Sequence, residues 1–285
     1  MIEEIFVPVK GGRIFTLQWG AGPTLVFVHA TGMCARLYLE LLAPLGARFR
    51  VVAPDARGHG RTELPAVPGE IPLDWRLYRD DLRALVAAIG GGPVRLAGHS
   101  FGATSSFEAA VETPTLATSV VLIDPPFIPF GQAGGCRAMR EAGTEPPNIM
   151  ADRAERRRSH FPSRAAARSA YHRRGVFAGW PDAALDAYLD GGLLADDGGV
   201  RLACSPGWEA TSFRGVSTSF EASVRACSFP FTMLCAAENS TVPADDEAAI
   251  RTLHPGAIIR RFAGTGHFLP VTHPDLVRPY LARMP

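Results

Sequence analysis

Lysine is nearly absent from this chain: Lys10 is the only one, so arginine supplies almost all of the positive charge. That imbalance reads as coding bias rather than function. Neither sign of charge dominates, since Lys and Arg total 29 against 28 Asp and Glu, a formal net charge of +1. A basic excess that would mark a nucleic-acid partner is missing, and so is the acidic excess of a solvating, disordered chain. Cysteine is scarce too. Cys34, Cys136, Cys204, Cys227 and Cys235 are odd in number, widely spaced and without a CxxC pair, which argues against a disulfide framework and against a zinc site. No apolar run approaches the ~18 residues of a membrane span. The opening Met1-Ile2-Glu3-Glu4 is acidic where a secretory leader would be basic. These absences predict a cytoplasmic protein with no nucleic-acid, membrane or metal partner.

What is present is a core. The chain has 285 residues and 47% hydrophobic content, enough for one large domain or a core with an insertion. Up to about Pro125 short apolar runs alternate with helical patterns. Strands are predicted at Ile14–Leu17, Thr24–Val28, Phe49–Ala53, Val94–Ala97 and Ser119–Ile123. Helices are predicted over Ala35–Leu45, Trp75–Ile89 and Ala103–Glu112; in the second, Leu77, Leu82, Leu85, Val86 and Ile89 share one face. The rhythm breaks between about Pro126 and Phe229, where helical pieces and Gly-rich turns show no clear strand alternation. It resumes with strands at Phe231–Cys235 and Ala257–Phe262 and helices at Asp245–Leu253 and Asp275–Arg283. Strands alternating with helices predict an α/β fold with a mostly parallel sheet covered on both faces. The predicted domains are a core of residues 1–125 and 230–285 and a helical insertion of residues 126–229.

Gly98-His99-Ser100-Phe101-Gly102 falls between an apolar strand and a helix. A serine on a sharp strand-to-helix turn takes strained backbone angles, and flanking glycines make room for the turn. The helix that follows points its positive end at the place where an oxyanion would develop. A structural glycine turn is the competing reading of a bare GxSxG, and the strand-helix context favours the nucleophile. Three further motifs follow in order: Val28-His29-Ala30-Thr31-Gly32, Asp55-Ala56-Arg57-Gly58-His59-Gly60-Arg61-Thr62 and Gly264-Thr265-Gly266-His267-Phe268. With these motifs the chain resembles an α/β-hydrolase over essentially its whole length, with a cap inserted after the sixth core strand. The three segments resemble the family's HGxG-like oxyanion loop, its DxRGHGxS turn and the loop of its catalytic histidine.

A serine hydroxyl needs a neighbouring base. Among eight histidines, His267 follows the last predicted strand where the family puts that base. His29, His59 and His99 lie inside turn motifs and are expected to shape loops, whereas His160, His172, His254 and His273 read as solvated. By resemblance the oxyanion donors are the N–H groups of Phe101 and Thr31, with Ala30 the alternative to Thr31. Ala30 itself departs from the glycine usual there.

The acid is the departure. The family usually supplies an aspartate after the strand that follows the cap, four residues before the loop proline, and this chain has Asn239 there. Glu238, its neighbour, is one substitute. Asp124, ending the sixth strand, is the other and the preferred one; some family members, haloalkane dehalogenases among them, carry their acid at that place. Asp245 and Asp246 read instead as the start of a helix.

The resemblance implies a cofactor-free serine hydrolase acting on an ester, lactone or related acyl compound of small-molecule size. C–C bond hydrolysis of a ketone by the same residues is an alternative, and a non-catalytic receptor that keeps the pocket is another. Epoxide and haloalkane hydrolysis are disfavoured, because those members need a carboxylate where Ser100 stands. The cap is expected to cover the site. Its aromatics Phe161, Tyr171, Phe177, Trp180, Tyr188, Trp208 and Phe213 line a substrate pocket or form the cap's own core. Its arginines Arg153, Arg156, Arg157, Arg158, Arg164, Arg168, Arg173 and Arg174 attract an anionic partner or form a solvated face, the latter reading being preferred.

Overall fold

The computed structural model describes residues 1–68 and 75–285. Its strands are β1 (Glu3–Val9), β2 (Gly12–Trp19), β3 (Thr24–Val28), β4 (Arg50–Pro54), β5 (Val94–His99), β6 (Ala117–Ile123), β7 (His160–Phe161), β8 (Leu193–Asp196), β9 (Gly199–Leu202), β10 (Phe231–Ala236) and β11 (Ile258–Phe262). Eight of them form one sheet in the order β1-β2-β4-β3-β5-β6-β10-β11. From β4 to β11 every neighbouring pair is parallel; β1 and β2 add an antiparallel edge.

The apolar run of β3 shows why the parallel strands are buried on both faces. Leu25 and Phe27 belong to one core cluster and Val26 and Val28 to the other, so side chains of alternating direction fill two hydrophobic layers. Between β3 and β5 the chain reverses its direction of growth across the sheet: it leaves β3 for β4 on one side and returns to β5 on the other. The loops that follow β3 and β5 therefore leave the carboxyl ends of adjacent strands toward opposite sides, the place where doubly wound sheets bind their ligands.

Three local outcomes differ from the sequence reading. Strand β1 was not anticipated; its apolar run Ile5-Phe6-Val7 is cut by Pro8, which the sheet tolerates because β1 is an edge strand with only Val7 buried. The helix expected over Ala35–Leu45 is a 3-10 turn (Ala35–Tyr38), one α turn (Leu39–Leu42) and a second 3-10 turn (Ala43–Ala47) containing Pro44, which has no N–H to give a continuing helix. The insertion is not wholly helical. Its helices Phe130–Glu141, Ile149–Glu155, Arg164–Tyr171, Asp182–Gly192, Pro206–Arg214 and Phe220–Ala226 are joined by a three-stranded sheet in the order β7-β9-β8. Its hairpin turns at Asp197-Gly198, where Gly198 takes φ +74, a conformation glycine adopts without a steric penalty. Strands of two to four residues are too short to display a period.

The insertion rests on the core through specific contacts. The Trp208 indole donates to the Arg57 carbonyl at 3.0 Å, and the Trp75 indole of the core donates to the Ser212 carbonyl at 2.9 Å. Helix Asp182–Gly192 lies so close to the Ala35–Tyr38 turn that a Cβ on Gly191 would come within 2.7 Å of Cys34 Sγ. Among the described residues, no helix is long and apolar enough to cross a membrane. The five cysteines are free and buried.

Candidate active site

Ser100 follows β5 and stands at the N-cap of the helix Phe101–Glu112 with φ 56 and ψ −131, a strained conformation for a residue with a side chain. Its neighbours explain how the turn closes. A Cβ on Gly98 would lie 2.4 Å from the Gly102 carbonyl, and one on Gly102 would lie 2.3 Å from the Val28 carbonyl. Glycine at both positions lets the helix start press against the end of β3, and this brings the loop after β3 beside the serine.

His267 reaches Ser100 from the loop after β11. The Ser100 hydroxyl donates to His267 Nε2 at 3.1 Å, while His267 Nδ1–H donates to Asp124 Oδ2 at 2.6 Å. Asp124 is fully buried at the end of β6, with φ 46. Burial alone raises its carboxyl pKa, but hydrogen bonds from His267, Ser240 and the Ala236 amide hold it below the ordinary value. The partners are donors on both oxygens: Ala236 N–H and Ser240 Oγ on Oδ1, and Thr241 N–H and His267 on Oδ2. Glu238 and Asn239 are exposed in the loop after β10. That loop gives no side-chain carboxylate to the histidine; it supplies Ser240 and Thr241, which grip Asp124. Neither residue stood out in the sequence, where a Ser-Thr pair in a loop has no distinctive signal.

The loop after β3 has its amides allotted one by one. Ala30 N–H donates to the Tyr38 hydroxyl at 3.2 Å and Gly32 N–H to His59 Nε2 at 2.9 Å. Among the described residues the N–H groups of Thr31 and Phe101 have no protein acceptor, which separates Thr31 from Ala30 on geometry. Three fully buried histidines, His29, His59 and His99, hold this region together. His29 Nε2 accepts the Ala56 amide at 2.9 Å and its Nδ1–H donates to Ala30 O at 2.8 Å; His59 Nδ1–H donates to Arg57 O at 2.9 Å. Each must be neutral to accept with one nitrogen.

Burial lowers His29 to about 3, with His59 adding to the effect, and burial lowers His59 to about 4. Unfolded, both regain a pKa near 6.5. The stability they contribute is therefore complete above pH 6.5 and is lost as the pH falls toward 4 and then 3, by about 1.4 kcal/mol per pH unit for each group. His59→Gln keeps an acceptor for Gly32 and cannot take the proton. Between pH 7 and pH 5 this variant should lose about 2 kcal/mol less stability than wild type in urea titrations. Equal losses would count against a neutral, buried His59.

Beyond the loop lies the insertion. Glu209 Oε1 would be 2.2 Å from a Cβ on Gly32, so this carboxylate rests directly on the loop. Arg157 holds it with two 2.9 Å contacts and also donates to the Tyr188 hydroxyl at 2.6 Å. Most of the other charges in the arginine cluster that make contacts are also spent inside the insertion. Arg168 pairs with Asp186 and Asp182, Arg164 with Asp190 and the Leu189 carbonyl, and Arg158 lies over the Phe161 ring. The aromatics Phe161, Tyr171, Phe177, Trp180 and Tyr188 pack on one another, and Trp180 meets Phe268 at 5.0 Å, next to His267. Of the remaining histidines, His160 and His172 pair with Asp196 and Asp182 on the surface. Among the described residues no group of three or more His, Cys, Asp or Glu side chains could hold a metal ion.

Known proteins share this arrangement of elements. The model of the alpha/beta hydrolase family matches residues 25–279. The chain is 26% identical to the 2-(acetamidomethylene)succinate hydrolase of Mesorhizobium japonicum over 257 residues, 90% of this chain and 86% of that one. A shorter match, 30% identity over 152 residues, covers 50% of this chain and 44% of an epoxide hydrolase of Caballeronia sordidicola. Among solved structures, an E-2-(acetamidomethylene)succinate hydrolase superposes over 100% of this chain and 99% of its own, with a TM-score of 0.82 and 24% identity. A thioesterase domain from the curacin biosynthetic pathway superposes over 99% of each chain with a TM-score of 0.76 and 20% identity.

Proposed function

The chain belongs to the alpha/beta hydrolase family, and from that membership we propose that it is a serine hydrolase that cleaves an ester, lactone or related acyl bond through an acyl-enzyme. The observation that carries this reading is the unbroken line from Ser100 Oγ through His267 to Asp124, with two unclaimed amides beside the serine.

The steps follow from what each atom does. Ser100 Oγ attacks the substrate carbonyl as His267 Nε2 takes its proton. The imidazolium that forms is balanced by the Asp124 carboxylate, which also fixes the ring tautomer. The developing oxyanion accepts from Thr31 N–H and Phe101 N–H, donors already in place. His267 then gives its proton to the leaving group, takes one from water as that water attacks the acyl carbon, and returns it to Ser100 Oγ as the acyl product departs. No cofactor enters. The insertion is read as a cap: Glu209 meets the Gly32 loop, Trp180 meets Phe268 next to His267, and Ser100 is only 8% exposed, which supports exclusion of bulk water.

The cap also bears on the substrate. Arg157 reaches the Gly32 loop, but its guanidinium is committed to Glu209 and Tyr188. A substrate carboxylate would have to displace Glu209 to use it, which favours an uncharged acyl group at this place. The named hydrolase relative adds acetamido compounds to the acyl substrates worth trying. An alkyl fluorophosphonate should modify Ser100, identified by peptide mass, and aryl esters should be turned over in preference to dienone acids. A folded wild type that takes no label would sink the proposal, and turnover of the dienone acids alone would move it to C–C bond hydrolysis.

A further inference from the structure

Four groups form one continuous hydrogen-bonded chain through the middle of the site. The Ala30 amide meets the Tyr38 hydroxyl at 3.2 Å, that hydroxyl meets His99 Nδ1 at 2.7 Å, and His99 Nε2 meets the His267 carbonyl at 2.8 Å. Both ends have a fixed sense, because an amide N–H only donates and a carbonyl only accepts. The sense of the middle follows. Tyr38 Oη accepts from Ala30 and gives its proton to Nδ1, and His99 is neutral with its own proton on Nε2. Ala30, Tyr38 and His99 are 2%, 1% and 0% exposed, so a group left unpaired here would not be rescued by bulk water. Burial, with the neighbouring His267, also depresses the His99 pKa and keeps the ring neutral.

The ends of this chain are placed one step from the reacting groups. Ala30 precedes Thr31, whose N–H is an oxyanion donor in the proposed mechanism. His99 precedes Ser100. The carbonyl at the far end belongs to His267 itself. The loop after β3, the end of β5 and the loop after β11 are thus tied together by two buried side chains.

We infer that Tyr38 and His99 are positioning residues, which hold the oxyanion loop and the base in one register around Ser100 by a hydrogen-bonded chain of fixed sense. This rests on the serine-hydrolase reading above. Without the Tyr38 hydroxyl, the Ala30 amide and His99 Nδ1 both lose their partner. The imidazole can then turn or change tautomer, and it releases the His267 carbonyl. A shift of about 1 Å at such a place costs on the order of a hundred-fold in rate.

The test uses the whole chain and an alkyl fluorophosphonate. Tyr38→Phe keeps the ring that packs on Phe27 at 4.9 Å and removes only the hydroxyl. Its maximal labelling rate should fall by about ten- to a hundred-fold while the half-saturating concentration stays unchanged. His99→Gln, which keeps a donor and an acceptor, should retain more rate than His99→Leu. Nitrogen-resolved NMR of wild type should show His99 neutral and protonated on Nε2. An unchanged labelling rate in folded Tyr38→Phe, or a loss shared equally with affinity and thermal stability, overturns the inference. So does a His99 protonated on Nδ1, whatever the labelling shows. If wild type takes no label, the serine-hydrolase reading fails and the positioning role falls with it, while the NMR tautomer still decides whether the hydrogen-bonded chain exists.

Discussion

Ser100→Ala should lower turnover of a responsive ester by about six orders of magnitude and leave the protein folded. The loss is large because in the proposed mechanism the serine oxygen forms the new bond, and among the described residues no other hydroxyl is held against His267 Nε2 to replace it. The stability cost is small for reasons visible in the turn. The backbone hydrogen bond from Ser100 N–H to the Ile123 carbonyl survives the change, and alanine meets the same φ of 56 that serine already bears. The side-chain oxygen makes its one hydrogen bond to the histidine, so little else is lost. Steady-state kinetics beside a urea titration will separate the two quantities. A folded variant retaining a hundredth of the activity would show that Ser100 is not the nucleophile.

Asp124→Asn is the second large effect: turnover should drop by about four orders of magnitude, the size seen when a triad aspartate elsewhere becomes an amide. Here the loss has a particular cause. Both carboxylate oxygens face donors only, namely the Ala236 amide and Ser240 on one side and the Thr241 amide and His267 on the other. Whichever way an asparagine amide turns, its NH₂ group points at a donor. One orientation confronts His267 Nδ1–H and drives the ring to the wrong tautomer; the other breaks the grip of the loop after β10. About 1–3 kcal/mol of stability should go as well, the cost of an unsatisfied buried pair. Glu238→Gln alters an exposed side chain and should change neither quantity measurably. Parallel kcat determinations on the two variants decide between them, and a loss in Glu238→Gln with Asp124→Asn intact would reverse the assignment.

Much of this arrangement was legible in the sequence, for a physical reason in each case. The buried strands are continuous apolar runs because both faces of a parallel sheet are covered, so Thr24–Val28 and Phe231–Cys235 announce themselves. Ser100 and His267 lie in glycine-bearing turns whose spacing from the strands is fixed by geometry. The acid was harder. Which of two carboxylates meets a histidine depends on how β6 and β10 align, and only the coordinates put Asp124 against His267 and leave Glu238 on the surface. Tyr38 was invisible for another reason. Its hydroxyl acts across 61 residues of sequence on His99, and a tyrosine in an apolar helical stretch looks like any other core aromatic. The small sheet of the insertion escaped because its strands are too brief to show alternation.

The place of Asp124 has a consequence for how this site tolerates change. The proposed nucleophile, the proposed acid and the Phe101 amide all come from a single strand-helix-strand unit, β5 to β6, that is complete before the insertion begins. The spacing between serine and carboxylate is thereby insulated from the length and sequence of residues 126–229. Only one reactive side chain, His267, has to be delivered from the far side of that segment. Changes in residues 126–229 would therefore bear on the site through how the segment that follows them, with His267 and the Asp124 partners Ala236, Ser240 and Thr241, docks against the β5–β6 unit.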